Sequence, residues 1–248
     1  MKKIFVLSFL VILIFSCTSY KVNFVLSQLG VFEDEVELKI FKNKERKVAL
    51  IPMHHIGTES FYDDVKEKID SFQNNNFKFY YELITPDTIK KDSAEIMLNY
   101  RKLRKINGSA ITGSNNKLSV IKKLSNNKKV NLKKELISQP SYEELGVNMK
   151  NAKNVDVKLN EMIKYYENKY GEIQLEDCDF ANLPREEYKC EKPARNKKRL
   201  DEVIVTLRNN KVINELKRDS TDNIAIIYGK GHYDGIKKYL INNSYLIL

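Results

Sequence analysis

The sequence predicts an α/β fold: a central mixed or parallel sheet flanked by helices, with an N-terminal β-hairpin and a helical middle. Two observations carry that prediction. Residues 48–84 read as strand, helix, strand: an apolar run Val48–Ile51, a helix face from Tyr62 to Phe72, and FKFYYELI over Phe77–Ile84. Near the C-terminus Asn223–Tyr228 has strand character again, followed by Gly229–Gly231 and an amphipathic segment with Ile236, Tyr239 and Leu240. Strands alternating with helical patterns favour parallel pairing through right-handed crossovers.

Taken in order, Lys2 and Lys3 precede the apolar run Ile4–Phe15, interrupted only by Ser8. That run is shorter than the ~20 residues of a comfortable membrane span and has the flanks of a signal peptide. Ser16 and Cys17 follow it and resemble a bacterial lipobox, in which the cysteine receives the lipid. An ordinary signal peptide or an uncleaved anchor are the alternatives. The expected organisation is a signal peptide over 1–16, a lipidated Cys17, a tether over 17–30, and one domain over 31–248 with a helical insertion at about 86–193. The chain then works outside the cytoplasm, anchored to a membrane of the bacterial cell envelope.

Glu35–Lys42 and Arg46–Pro52 alternate apolar and polar residues around Asn43-Lys44-Glu45, which predicts the hairpin. Its second strand becomes continuously apolar, as a strand entering a buried sheet does. Beyond Gly57, Thr58 or Ser60 can cap a helix, and Ser60 with Asp63 approximates a capping box. Tyr62, Val65, Ile69 and Phe72 form its apolar face, and Asn74-Asn75-Asn76 stops it. The next strand closes at Pro86 and should pair in parallel with the strand before the helix. Helices are expected over Ile89–Lys105, Leu118–Leu136, Leu159–Tyr170 (ended by Gly171) and Lys198–Lys217, and a tight turn over Gly229–Gly231.

The formal charge is +10, but the basic residues are interleaved with acids, with no arginine cluster or aromatic RNA-binding signature. Nucleic acid is therefore excluded as a partner. Cys178 and Cys190 flank a loop around Asn182-Leu183-Pro184, and in an oxidising compartment they can form a disulfide or stay as two thiols.

The chain has three histidines, so chemistry needing imidazole must use His54-His55 or His232. His55 and His232 each lie where an apolar strand runs out and a helix begins, the edge at which α/β sheets bind ligands. On neighbouring strands they could share a metal ion at ~2.0–2.1 Å. Glu82, in FYYEL, is a carboxylate among apolar and aromatic residues and needs a partner there. These three make a metal set with an open position for water. The plainer alternatives are histidines that only cap strands, a Glu82 paired with Lys78, and an Arg208 that is a solvated helix cation.

Several of these segments together resemble the TraB/GumN/TIKI family. MHHIGTESFYDDV is similar to the family's first G-x-x-H motif, with Pro52 in the place of its glycine, and YGKGHYDGIKKYL to its second, with Gly229 and His232 in register. FYYEL resembles the strand carrying the family's glutamate, Leu207-Arg208-Asn209 its Arg-Asn helix, and Asn154-Val155-Asp156-Val157 its Asp-containing segment. Together they span Val48–Leu240. The resemblance implies a sheet-and-helix fold shared with erythromycin-esterase-like (EreA) and ChaN-like proteins. It also implies a metal-dependent, peptidase-like hydrolase acting on a peptide or small molecule. By it, His55, His232 and Glu82 hold a divalent ion (Mn, Co or Zn), Glu82 also serves as base, Arg208 stabilises an oxyanion or orients substrate, and Asn209 supports it. A non-catalytic peptide- or haem-binding lipoprotein on the same scaffold, and one with a relic site, are the alternatives.

Overall fold

A computed structural model describes residues 19–86, 93–108, 130–184, 186, 188–191 and 196–248. The signal segment and Cys17 lie outside the described residues, as do parts of the helices expected at 89–105 and 118–136. The expected single domain divides into two compact units.

The larger unit comprises Glu37–Met53, Phe72–Gly113 and Asn148–Leu248. Its strands are β1 (Lys39–Asn43), β2 (Arg46–Met53), β4 (Lys78–Tyr81), β6 (Ala152–Asn154), β7 (Asn223–Gly229) and β8 (Leu246–Ile247). They form one mixed sheet in the order β6-β4-β7-β2-β1-β8. The β6, β4, β7 and β2 strands run parallel, while β1 pairs antiparallel with both β2 and β8. Asn43 stands opposite Arg46, and Lys44 takes the positive φ (53°) that so short a connection requires.

The expected direct pairing of the strands on either side of the first helix is corrected here. β7 lies between β2 and β4, pairing Ile51 with Ile227 on one side and Tyr81 with Ile227 on the other. β7 takes the centre, and its Ile224–Tyr228 run is buried throughout. Only a strand apolar on both faces suits that position.

On one sheet face Val48, Leu50, Ile224, Ile226 and Tyr228 alternate inward. Two helices supply the facing layer: α7 (Leu207–Arg218) with Val212 and Leu216, and α8 (Lys230–Asn242) with Ile236 and Leu240. Burying each such side chain stabilises by ~1.5–3 kcal/mol. The segment expected as one helix over Lys198–Lys217 is helical throughout but interrupted by a π turn: α6 (Lys197–Asp201), the π turn (Glu202–Thr206), then α7. The expected Gly229–Gly231 turn is absent, because α8 starts at Lys230, directly off β7.

A second cluster holds Leu103 of α3 (Ser93–Asn107), Leu159, Met162 and Ile163 of α4 (Leu159–Tyr170), and Val203. Gly171 ends α4 at φ 94°, as its position predicted. Beyond it, Cys178 on the short helix α5 (Asp177–Ala181) is disulfide-bonded to Cys190, with Cα atoms 5.8 Å apart.

The smaller unit holds residues 19–36, 54–71 and 130–147 among those described. Residues 19–28, expected as tether, form a helix, α1. β3 (Ile56–Gly57) pairs antiparallel with β5 (Ile137–Ser138). Thr58 Oγ1 accepts from Phe61 N at 3.1 Å and so caps α2 (Glu59–Asn74). Val31, Phe32 and Leu136 form the core, with Leu26, Ile56 and Leu132 against them. Residues 130–136, read as the end of a helix, are irregular.

Candidate functional site

Parallel pairing brings the carboxyl ends of β6, β4 and β7 to one edge of the sheet. Each delivers a polar group there: Glu82 follows β4, Asp156 lies two residues past β6, and β7 hands on directly to the α8 N-terminus and His232. The first turn of α7 adds Arg208 and Asn209.

Arg208 is the centre of this group, and only 5% of it is exposed. Its Nε donates to Asp156 Oδ1 at 2.8 Å and its Nη2 to Asp156 Oδ2 at 2.6 Å, a bidentate pair. Nη2 also bonds Glu82 Oε1, and Nη1 reaches the Ile204 carbonyl at 3.4 Å. Burial disfavours the cation, but Asp156 and Glu82 override it and hold the guanidinium firmly protonated.

Glu82 Oε2 accepts from the Gly229 N–H at 2.5 Å, at the start of α8, where the helix dipole favours an anion. A Cβ on Gly229 would stand 3.1 Å from that oxygen, so glycine is what allows the approach. Burial pushes the Glu82 carboxyl up, yet Arg208, His232 and the Gly229 N–H outweigh it and hold it below the usual carboxylate range. Glu82 is therefore an anion in the fold. Its partner is Arg208, whereas Lys78 pairs with Asp219 at 2.6 Å.

His232 is buried, with its ring edge-on to Tyr228 at 5.2 Å. Its Nδ1 lies 2.8 Å from Asn209 Oδ1. An amide oxygen only accepts, so Nδ1 carries a proton and donates to it; whenever the ring is neutral, that tautomer leaves the lone pair on Nε2. Nε2 is 3.8 Å from Glu82 Oε1, too far for a direct hydrogen bond.

That gap fits two ligands of one cation, being shorter than the sum of two bonds of about 2.1 Å each. The Asn209 contact is the outer hydrogen bond a metal-binding histidine normally has. Among the described residues, no group of three or more His, Cys, Asp or Glu side chains is placed to hold a metal ion.

His55 belongs to the smaller unit, where it is exposed. Its Nδ1 is 3.1 Å from Gln139 Oε1, and its carbonyl accepts from Gln139 N at 3.0 Å. His54 accepts the Tyr62 hydroxyl on its carbonyl at 2.8 Å and tilts against the Phe61 ring.

Four residues singled out in the sequence thus meet at one place: Glu82, Arg208, Asn209 and His232. Two participants carried no assigned role. Asp156 lay in a segment noted only for its acid, and the Gly229 N–H is a backbone group that no side-chain pattern marks. The chain matches no protein-family model, no curated protein and no solved structure.

Proposed function

We propose that the chain is a lipid-anchored, metal-dependent hydrolase of the bacterial cell envelope, peptidase-like and of the TraB/GumN group, on an EreA/ChaN-like scaffold with an N-terminal hairpin. The observation that supports it most is the convergence of Glu82 and Arg208 with Asn209 and His232, from three distant segments, at the carboxyl edge of one sheet. A bound divalent ion would polarise a substrate carbonyl and lower the pKa of its water. His232 Nε2 and Glu82 Oε1 would be two of its ligands.

Asn209 holds the proton on His232 Nδ1 and so aims Nε2 at Glu82. Arg208 and the Gly229 N–H orient the Glu82 carboxylate and keep it ionised, able to take a proton from water. With Nε and Nη2 directed at Asp156 and Glu82, Arg208 acts in this reading by positioning Glu82, beside the oxyanion or substrate-orienting role that the resemblance implies.

The test is elemental analysis of the protein after dialysis against Mn, Co or Zn, with a peptide-hydrolysis screen. Near-stoichiometric metal that His232→Ala removes, with turnover that Glu82→Gln abolishes, is the expected result. The same assay on His55→Ala examines the further ligand that the resemblance nominates. No metal under any condition, with His232→Ala as stable as the parent, would sink the proposal. One observation favours the binding-protein alternative: Arg208 already neutralises the Glu82 oxygen nearest His232. A peptide or haem-like ligand bound without turnover would decide for it.

A further inference from the structure

Helix α1 is inside out. A surface helix normally turns its apolar stripe inward and its polar face to water. In α1 the inward face is tied down by polar groups. Asn23 Nδ2 donates to the Asn131 carbonyl at 2.7 Å, Asn131 N donates to Ser19 Oγ at 3.0 Å, and Lys133 N donates to Asn23 Oδ1 at 2.8 Å. Leu26 is the apolar side chain it adds to the small core.

The outward face carries Tyr20, Phe24, Val25 and, just past the helix end, Leu29, which are 71%, 54%, 55% and 56% exposed. Tyr20 and Phe24 stack, with ring centroids 6.4 Å apart. Lys21 is exposed among them. These three hydrogen bonds set the rotation of the helix and leave this face outward.

We propose that this face is an interfacial membrane contact, seated at the headgroup level of the membrane that holds the chain's N-terminus. The proposal rests on the anchored reading of that terminus. Three residue steps separate Cys17 from Tyr20, so with lipid on Cys17 the Tyr20 Cα lies within ~11 Å of the anchored residue. An uncleaved anchor ending at Phe15 would leave five steps, ~18 Å. Both place α1 against the interface, where aromatic rings concentrate and amphipathic helices lie in the plane. The net charge of +10, or +8 once Lys2 and Lys3 leave with the signal, suits an anionic leaflet.

The chain has no tryptophan, so a single indole reports its own surroundings. The full chain carrying Phe24→Trp, and separately Tyr20→Trp, is purified from membranes and reconstituted into phosphatidylcholine–phosphatidylglycerol vesicles with a bromolipid quencher. The expected result is blue-shifted emission on adding vesicles and loss of intensity with bromolipid. Water-like, unquenched emission from both variants overturns the proposal. So does a blue shift present without lipid that disappears on dilution, which marks a contact between copies.

The mass of the N-terminal peptide reads lipidation of Cys17 separately. A lipidated chain with an unquenched indole keeps the anchor and loses the docking face. A chain with neither lipid nor leader whose indole is still quenched by added vesicles keeps the docking face and loses the anchor.

Discussion

A side-chain carbon on Gly235 would stand 2.1 Å from Asn209 Nδ2 and 3.2 Å from its Cγ. The second turn of α8 therefore carries no side chain where α7 lays the amide that orients His232. Gly235→Ala must displace Asn209, and overpacking of this kind costs about 1–3 kcal/mol. Its specific effect should be on the imidazole: ¹⁵N NMR of His232 should show loss of the single Nδ1–H tautomer. Gly231→Ala is the control, since nothing lies within 4 Å of its added carbon, and a helical alanine should be neutral or stabilising by up to ~1 kcal/mol. Equal effects of the two substitutions would argue against the Asn209 contact.

Removing one partner from a buried ion group leaves the other charges uncompensated, which costs about 3–5 kcal/mol. Arg208→Ala strands Asp156 and Glu82 together and should show that loss in urea unfolding. Arg208→Lys keeps the charge but lacks the planar fork, so it should recover only part of it. Glu82→Gln keeps one acceptor oxygen but sets an amide NH2 against either the Arg208 guanidinium or the Gly229 N–H, both donors, so it should also lose stability, by less than Arg208→Ala because Asp156 still pairs Arg208. Stability unchanged in Arg208→Ala would contradict the buried geometry.

The disulfide loop is gripped from α3. Arg104, fully buried, donates to the Asp179 and Asn182 carbonyls at 3.2 Å each and to that of Leu183. Lys105 bonds Asp179 at 3.0 Å, and Asp179 accepts from the Tyr188 hydroxyl at 2.9 Å. Closing a loop of sequence separation 12 is worth about 3 kcal/mol in chain entropy. Cys178→Ser with Cys190→Ser should lose about that much. Combined with Arg104→Met the losses should be less than additive, because a loosened loop no longer presents its carbonyls. Full additivity would mean that the clamp and the disulfide act separately.

The acid limb of stability should have identifiable sources. Burial pushes the Asp219 carboxyl up, but hydrogen bonds from Lys78, Thr221 and Tyr80 outweigh it and hold it well below the usual carboxylate range. Glu202 is held at about 2, first by Lys169 and then by Tyr165 and Tyr170. Both groups bind protons less readily folded than unfolded. Their stabilisation is full above the unfolded values and is lost as pH falls toward the folded ones, for Glu202 between 4.5 and about 2. Urea titrations across that window should show a shallower acid limb for Asp219→Asn and Glu202→Gln. Asp219→Asn should cost about 2 kcal/mol at neutral pH, the scale of a charge-assisted bond. An unchanged slope would remove these groups as its origin.

Much of the fold was legible because it depends on local pattern. Leu159–Tyr170 with its Gly171 stop, the Asn223–Tyr228 strand, and the helix after Gly57 each follow from periodicity and caps over neighbouring residues. The α1 helix escaped notice because its aromatics face outward, so its pattern marks no core. The irregular stretch over 130–136 misled for the converse reason: its apolar residues serve a core without helical spacing.

The sequence alone determined which residue types could carry chemistry, since three histidines and one glutamate in an apolar strand leave few choices, and where β2, β7, α2 and α4 lie. Tertiary structure decided which of them meet. It set β7 between β2 and β4, and so brought Gly229 to Glu82. It gave Arg208 to Asp156 and Glu82 rather than to solvent, and Asn209 to His232 across the space left by Gly235. The physical reason is range. Periodicity records how a segment meets the core, whereas strand order and ion pairing depend on packing between residues 23 to 147 positions apart.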